Sequence, residues 1–111
     1  GREKSAAKHM LHEAKIMQDS GADMLLLECV PAELAKEISQ SLRIPTIGIG
    51  AGVDCDAQVL VLYDLLGISF GKVPKFAKDF LEGNGSIQAA IQAYVKAVKG
   101  GTFPAAEHSF N

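Results

Sequence analysis

The stretch Leu25-Leu26-Leu27-Glu28-Cys29-Val30-Pro31 (LLLECVP) runs apolar residues into a carboxylate and then breaks the run with proline. Asp23 to Cys29 is too short and too continuously apolar for an amphipathic helix, and reads as a buried strand of the kind that parallel sheets cover on both faces. Side chains alternate along a strand, so Met24, Leu26 and Glu28 share one face and Leu25, Leu27 and Cys29 the other. Glu28 then caps an apolar column. An unpartnered carboxylate is expensive to bury, so its placement there asks for a chemical reason.

Outward from this strand, helices and strands alternate. Ser5 to Ser20 carries Ala6, Met10, Ala14 and Met17 at helical spacing, widened by Ala7 and Leu11, and Gly21 follows as a stop. Pro31 suits the first turn of a second helix with the stripe Leu34, Ala35, Ile38 and Leu42. Ile44 to Ile49 reads as a second strand ending in the glycine-rich IGIGAG of residues 47–52. Asp54 is expected to cap a third helix carrying Val59, Leu60, Leu62 and Leu66, and Ile68-Ser69-Phe70 is the candidate third strand. Lys75 to Leu81 reads as a short helix. Ser86 is the expected N-cap of a last helix, with Ile87, Ala90, Ile91, Tyr94, Val95 and Val98 as its stripe.

Such alternation belongs to α/β proteins with parallel sheets. A three-stranded parallel sheet leaves two open edges, which barrels remove by closure, so residues 1–111 are expected to be part of one larger (β/α)₈ barrel domain. At the C-terminal end of a barrel strand, Glu28 points into the mouth, where partial desolvation suits a carboxylate to proton transfer near neutral pH. The other reading pairs it with a nearby Lys or Arg.

Composition narrows the function classes. With 48% apolar and 22% charged residues the 111-residue chain is expected to fold as one domain. Its 11 basic and 13 acidic residues give a net charge of -2 with no basic block, so nucleic acid is not an implied partner. The longest apolar runs, Met24 to Leu27 and Val59 to Leu62, are far too short to span a membrane. Cys29 and Cys55, the two cysteines, form no disulfide or zinc pattern, which favours a reducing, cytoplasmic setting. The start at Gly-Arg-Glu-Lys, without methionine, suggests a fragment or a processed product.

Other candidates have plainer readings. IGIGAG could bring backbone N–H groups to a phosphate or simply turn the chain tightly. Asp54 and Asp56 could ligate a hard cation, although capping is the simpler use. His9 and His12 lack a third ligand nearby and read as a solvated face. Cys29 lies on the opposite face from Glu28, has no histidine close in sequence, and reads as a buried structural thiol. Lys72 and Lys75 flank Pro74, where they could meet an anion or solvate a loop.

Taken together, LLLECVPAELA, IPTIGIGAG, GKVPKFAKDF and the terminal Ala106-Glu107-His108-Ser109-Phe110 closely resemble the C-terminal half of the ketopantoate hydroxymethyltransferase family, in order and over essentially the whole chain. The resemblance implies a (β/α)₈ barrel that transfers a one-carbon unit from 5,10-methylenetetrahydrofolate to 3-methyl-2-oxobutanoate (2-oxoisovalerate), giving ketopantoate. It also implies magnesium and a large homo-oligomer, such as a decamer. The glutamate of the LECVP segment is the family's proton acceptor, which makes Glu28 the catalytic candidate. The family's metal-binding acids fall on early barrel strands, so this chain is expected to supply no metal ligand and to need the N-terminal half of the barrel as its partner.

Overall fold

The computed structural model describes residues 2–111, with the side chain of Arg2 left aside. Helix α1 (Arg2–Asp19) leads to strand β1 (Leu25–Glu28), helix α2 (Ala32–Ser41) and strand β2 (Thr46–Ile49). Strand β3 (Ala57–Gln58), helix α3 (Leu62–Leu65), helix α4 (Ile87–Lys99) and the 3₁₀ turn Ala106–His108 complete the order. The strands form a parallel sheet in the order β1-β2-β3, with Leu25 opposite Thr46, Glu28 opposite Ile49, and Ile47 opposite Ala57. The α/β class and the first two strands follow the alternating pattern.

Several expectations are corrected. The third strand is Ala57–Gln58, not Ile68-Ser69-Phe70, which forms a loop with Phe70 fully exposed. Asp54 caps no helix: it lies in a turn, and the expected third helix shrinks to Leu62–Leu65. Pairing with β2 draws this segment into extended backbone, with Val59 donating its N–H to the Gly48 carbonyl at 3.0 Å. The apolar run Val59-Leu60-Val61 suits either periodicity, and the tertiary partner decides. Lys75 to Leu81 forms turns, not a helix. Pro31 stands just before the first helical residue of α2, as its N-cap, rather than inside the first turn.

Two apolar clusters organise the chain. In the first, Leu27 and Val30 pack with Ala14 of α1 and with Ala35 and Ile38 of α2, so both helices cover the Leu25/Leu27 face of the sheet. The strand is therefore buried on one face only. Met24 and Leu26, which share the Glu28 face, are 60% and 56% exposed. The α1 stripe is rotated from the expected one: Leu11 and Ala14 turn inward while Met10 and Met17 face out. In the second cluster Leu65, Leu66, Phe80, Ala90 and Phe103 are buried, and the rings of Phe80, Tyr94 and Phe103 meet edge to face. The α4 stripe divides accordingly, because Ala90, Tyr94 and Val98 join this cluster while Ile87, Ile91 and Val95 stay exposed. Ser86 caps α4 as expected, its hydroxyl accepting the Ala89 N–H at 3.1 Å.

One polar side chain joins α1 to the sheet. Gln18 is buried, and its Oε1 accepts the backbone N–H groups of Arg43 at 2.6 Å and Ile44 at 3.2 Å, just before β2. Both bonds are part-buried, and a donor left unpaired costs up to about 1–3 kcal/mol where it is buried. Gln18→Leu keeps the volume and removes the acceptor. It is expected to destabilise the fold by about 2 kcal/mol, measured as a lower urea midpoint at unchanged slope.

Candidate functional site

Parallel pairing brings the C-terminal ends of β1 and β2 to one end of the sheet, and the register sets Glu28 beside Ile49. The chain leaves β1 through Glu28 and Cys29 and leaves β2 through Gly50-Ala51-Gly52, so the carboxylate and the glycine segment share that end. Glu28 is exposed. The desolvation expected of a barrel mouth is thus not supplied by this chain's own residues, because nothing here covers the Met24/Leu26/Glu28 face. Among the described residues Glu28 makes no salt bridge; His9 Nε2 lies 3.1 Å from Glu13 on the exposed side of α1.

Cys29 overturns its reading as a buried thiol. It is exposed and has φ 53, the left-handed region that side chains other than glycine and asparagine rarely adopt. This conformation costs about 1–2 kcal/mol. It turns the chain out of strand alternation immediately after Glu28, while the Cys29 N–H still reaches the Ile49 carbonyl at 2.9 Å. The loop is anchored again one residue later by Val30, which is 5% exposed in the first core.

The glycines serve close packing. Gly50 (φ +65) lies under Phe76, and a Cβ there would stand 2.9 Å from the ring. Gly52 (φ +80) lies against the first residue of α2, where a Cβ would come within 2.6 Å of the Ala32 Cβ and 3.1 Å of its Cα. A Cβ at either glycine would meet protein, and no helix starts directly after Gly52. A backbone atom cannot rotate away, so Gly52 bears both a steric and a conformational demand. Gly101 (φ +74) has a similar backbone and open space, which makes it the control. Gly52→Ala is expected to destabilise the protein by about 2 kcal/mol or more, and Gly101→Ala by about 1, in parallel urea titrations.

Asp56 caps no helix, and strand pairing takes up its carboxylate. Its Oδ2 accepts the Thr46 N–H at 2.8 Å and the Thr46 hydroxyl at 3.2 Å, and Thr46 Oγ1 lies 2.7 Å from Ser39 Oγ. The cluster locks the starts of β2 and β3 to α2, at the end of the sheet opposite Glu28. No spacing rule points to it, because Asp56 and Thr46 meet only through strand pairing. Beside it, burial pushes the Cys55 thiol above its ordinary range, reinforced by Asp56 and Asp54 and opposed by hydrogen bonds from Ser39 and Thr46. A raised pKa means less thiolate at a given pH, and Cys29 is the more exposed of the two. In native protein at pH 8, iodoacetamide is expected to label Cys29 well before Cys55, a difference that denaturation removes, as read by peptide mass spectrometry.

Among the described residues no three His, Cys, Asp or Glu side chains converge as a metal site. His9 is held by Glu13 on the solvent side of α1. Lys72 is exposed, whereas Lys75 meets an aromatic ring: its Nζ lies 5.2 Å from the centroid of Phe110 in the C-terminal tail. That contact leaves no trace in local sequence, since 35 positions, counted from 75 to 110, separate the partners.

A sequence profile described as ketopantoate hydroxymethyltransferase matches residues 1–106. The chain belongs to that family. It is 61% identical over 110 residues to the 3-methyl-2-oxobutanoate hydroxymethyltransferase of Alkalilimnicola ehrlichii, covering 99% of this chain and 40% of the relative. It is 61% identical over 104 residues to the protein of that name from Neisseria meningitidis, covering 94% of this chain and 40% of the relative. A Hahella chejuensis protein named 3-methyl-2-oxobutanoate hydroxymethyltransferase 2 is 58% identical over 111 residues, covering all of this chain and 42% of the relative. The chain therefore spans about two-fifths of the length of these curated relatives. No helix among the described residues is long and apolar enough to cross a membrane.

Proposed function

We propose that this chain is the C-terminal portion of a (β/α)₈ barrel that transfers a hydroxymethyl group from 5,10-methylenetetrahydrofolate to 3-methyl-2-oxobutanoate, with Glu28 as proton acceptor. The position of Glu28 carries the reading: a carboxylate on the uncovered face of a parallel sheet, at the C-terminal strand end where barrel enzymes build their sites. Family membership supplies the reaction class. Forming a carbon–carbon bond next to a ketone requires a proton to leave the substrate carbon, and a positioned carboxylate is a competent base for it.

The missing strands supply the desolvation that Glu28 lacks here. β1 is an edge strand whose Leu25 and Cys29 N–H groups bond toward β2, to Pro45 at 3.0 Å and Ile49 at 2.9 Å. Parallel ladders alternate, so the backbone groups of Leu26 and Glu28 face the free edge. Beside that edge runs a groove of about 220 Å³ lined by Met10, Met17, Leu26 and Glu28 among others. Another strand fits this edge, and closure of the sheet into a barrel would cover the exposed apolar face. This reading assigns the magnesium to residues outside the chain, as the family resemblance implies. A cytoplasmic homo-oligomer, such as a decamer, completes the proposal.

Two assays test it. In the complete enzyme, Glu28→Gln is expected to lower turnover by about two orders of magnitude or more with folding intact, as for a positioned base. Near-wild-type turnover would remove Glu28 from the chemistry. Residues 1–111 expressed alone are expected to form no ketopantoate, and to do so once co-expressed with the rest of the barrel. Robust turnover by the 111-residue chain alone would overturn the partial-barrel reading.

A further inference from the structure

The loop from Glu28 to Ala32 does not hold itself. It passes through the left-handed backbone of Cys29 and enters α2 at Pro31, which offers no side-chain cap to the first helical N–H groups. The missing acceptor comes from the far end of the chain. The Phe110 carbonyl accepts the Ala32 N–H at 2.9 Å, and Ala32 is pressed from another side by Gly52.

Phe110 is itself held. After α4 the chain buries Phe103 in the second core, and the His108 ring lies tilted against it with centroids 4.9 Å apart, while its Nδ1 accepts the Ala105 N–H at 3.0 Å. Ser109 donates its hydroxyl to the Ala105 carbonyl at 3.0 Å. The Lys75 ammonium then lies over the Phe110 ring, and the neighbouring Phe76 covers Gly50. The tail, the 75–76 segment and the loops after β1 and β2 thus meet at the sheet end that carries Glu28.

We infer that Phe110, with Lys75 against its ring, is a positioning residue that fixes the Glu28–Ala32 loop and so the direction of the Glu28 carboxylate. The inference rests on the reading of Glu28 as proton acceptor. A strained loop keeps one conformation only when its surroundings over-determine it. Releasing the Ala32 N–H lets the first turn of α2 fray and Cys29 relax to ordinary φ, which turns Glu28 away. Small misplacements of a catalytic group are costly in rate.

The test uses the complete enzyme. Phe110→Ala is expected to lower kcat about ten-fold with KM for the 2-oxo acid little changed, and Phe110→Tyr, which keeps the ring, to restore most of that loss. In a Glu28→Gln background the same Phe110→Ala change should cost roughly two-fold or less, because the group being positioned is already disabled. Amide exchange at Ala32 should accelerate in Phe110→Ala irrespective of activity. If Phe110→Ala does not fold, Lys75→Met takes its place with the same expectations. Equal fold losses in both backgrounds, unchanged kcat, or unchanged Ala32 exchange would overturn the inference. Full activity of Glu28→Gln alone would instead refute the base assignment, a separate outcome read from that single variant.

Discussion

Parallel pairing of β1 with β2 is the constraint on which the rest depends. Strands that run the same way cannot be joined by a hairpin, so the chain must return across the sheet, and α2 is that return. The return places α2 over the Leu25/Leu27 face, where Ala35 and Ile38 close the first core. It also brings both strand ends to the same edge of the molecule. Glu28 and the glycine segment become neighbours for this reason, although more than twenty residues part them in sequence.

The two cores divide the labour. The first, built by α1, α2 and the sheet, holds Leu27 and Val30 on either side of Glu28 and Cys29. The second gathers α3, α4 and the aromatic rings of Phe80, Tyr94 and Phe103. Tyr94 Oη is buried without a hydrogen-bond partner, and burial raises the pKa of its hydroxyl, so this ring contributes through its edge-to-face contacts. The tail that leaves the second core ends against the first, at Ala32. A route thereby runs from the packing of α4 to the loop bearing the candidate base.

The uncovered surfaces have a common geometry. Met24 and Leu26 on the sheet and Met10 and Met17 on α1 are apolar, exposed and grouped around the free edge of β1. Scattered exposed apolar residues are ordinary, but a row beside an unpaired strand edge has the form of a seam. Covering it would pair the backbone of β1 and withdraw Glu28 from water in one step. On the proposed reading, closure of the sheet and proton transfer by Glu28 would be coupled through that edge.

Sequence alone determined the elements whose signals are local. The apolar run before Glu28, the helical spacing around Ala35 and Ile38, and Ser86 ahead of its stripe each report backbone preferences that neighbours in the chain can express. Glu28 stands out as a carboxylate ending an apolar run, which the structure leaves exposed, and the family was legible from four segments in order. Tertiary structure decided the rest. Ala57–Gln58 became a strand only because β2 offered an edge, since Val59-Leu60-Val61 fits helix or strand equally well. Asp56 found Thr46 through that same pairing, which made it a lock between the strand starts. Cys29 left the face its register assigned because Val30 and Ala32 were already held by packing and by Phe110, and a chain pinned at both ends must take whatever φ connects them.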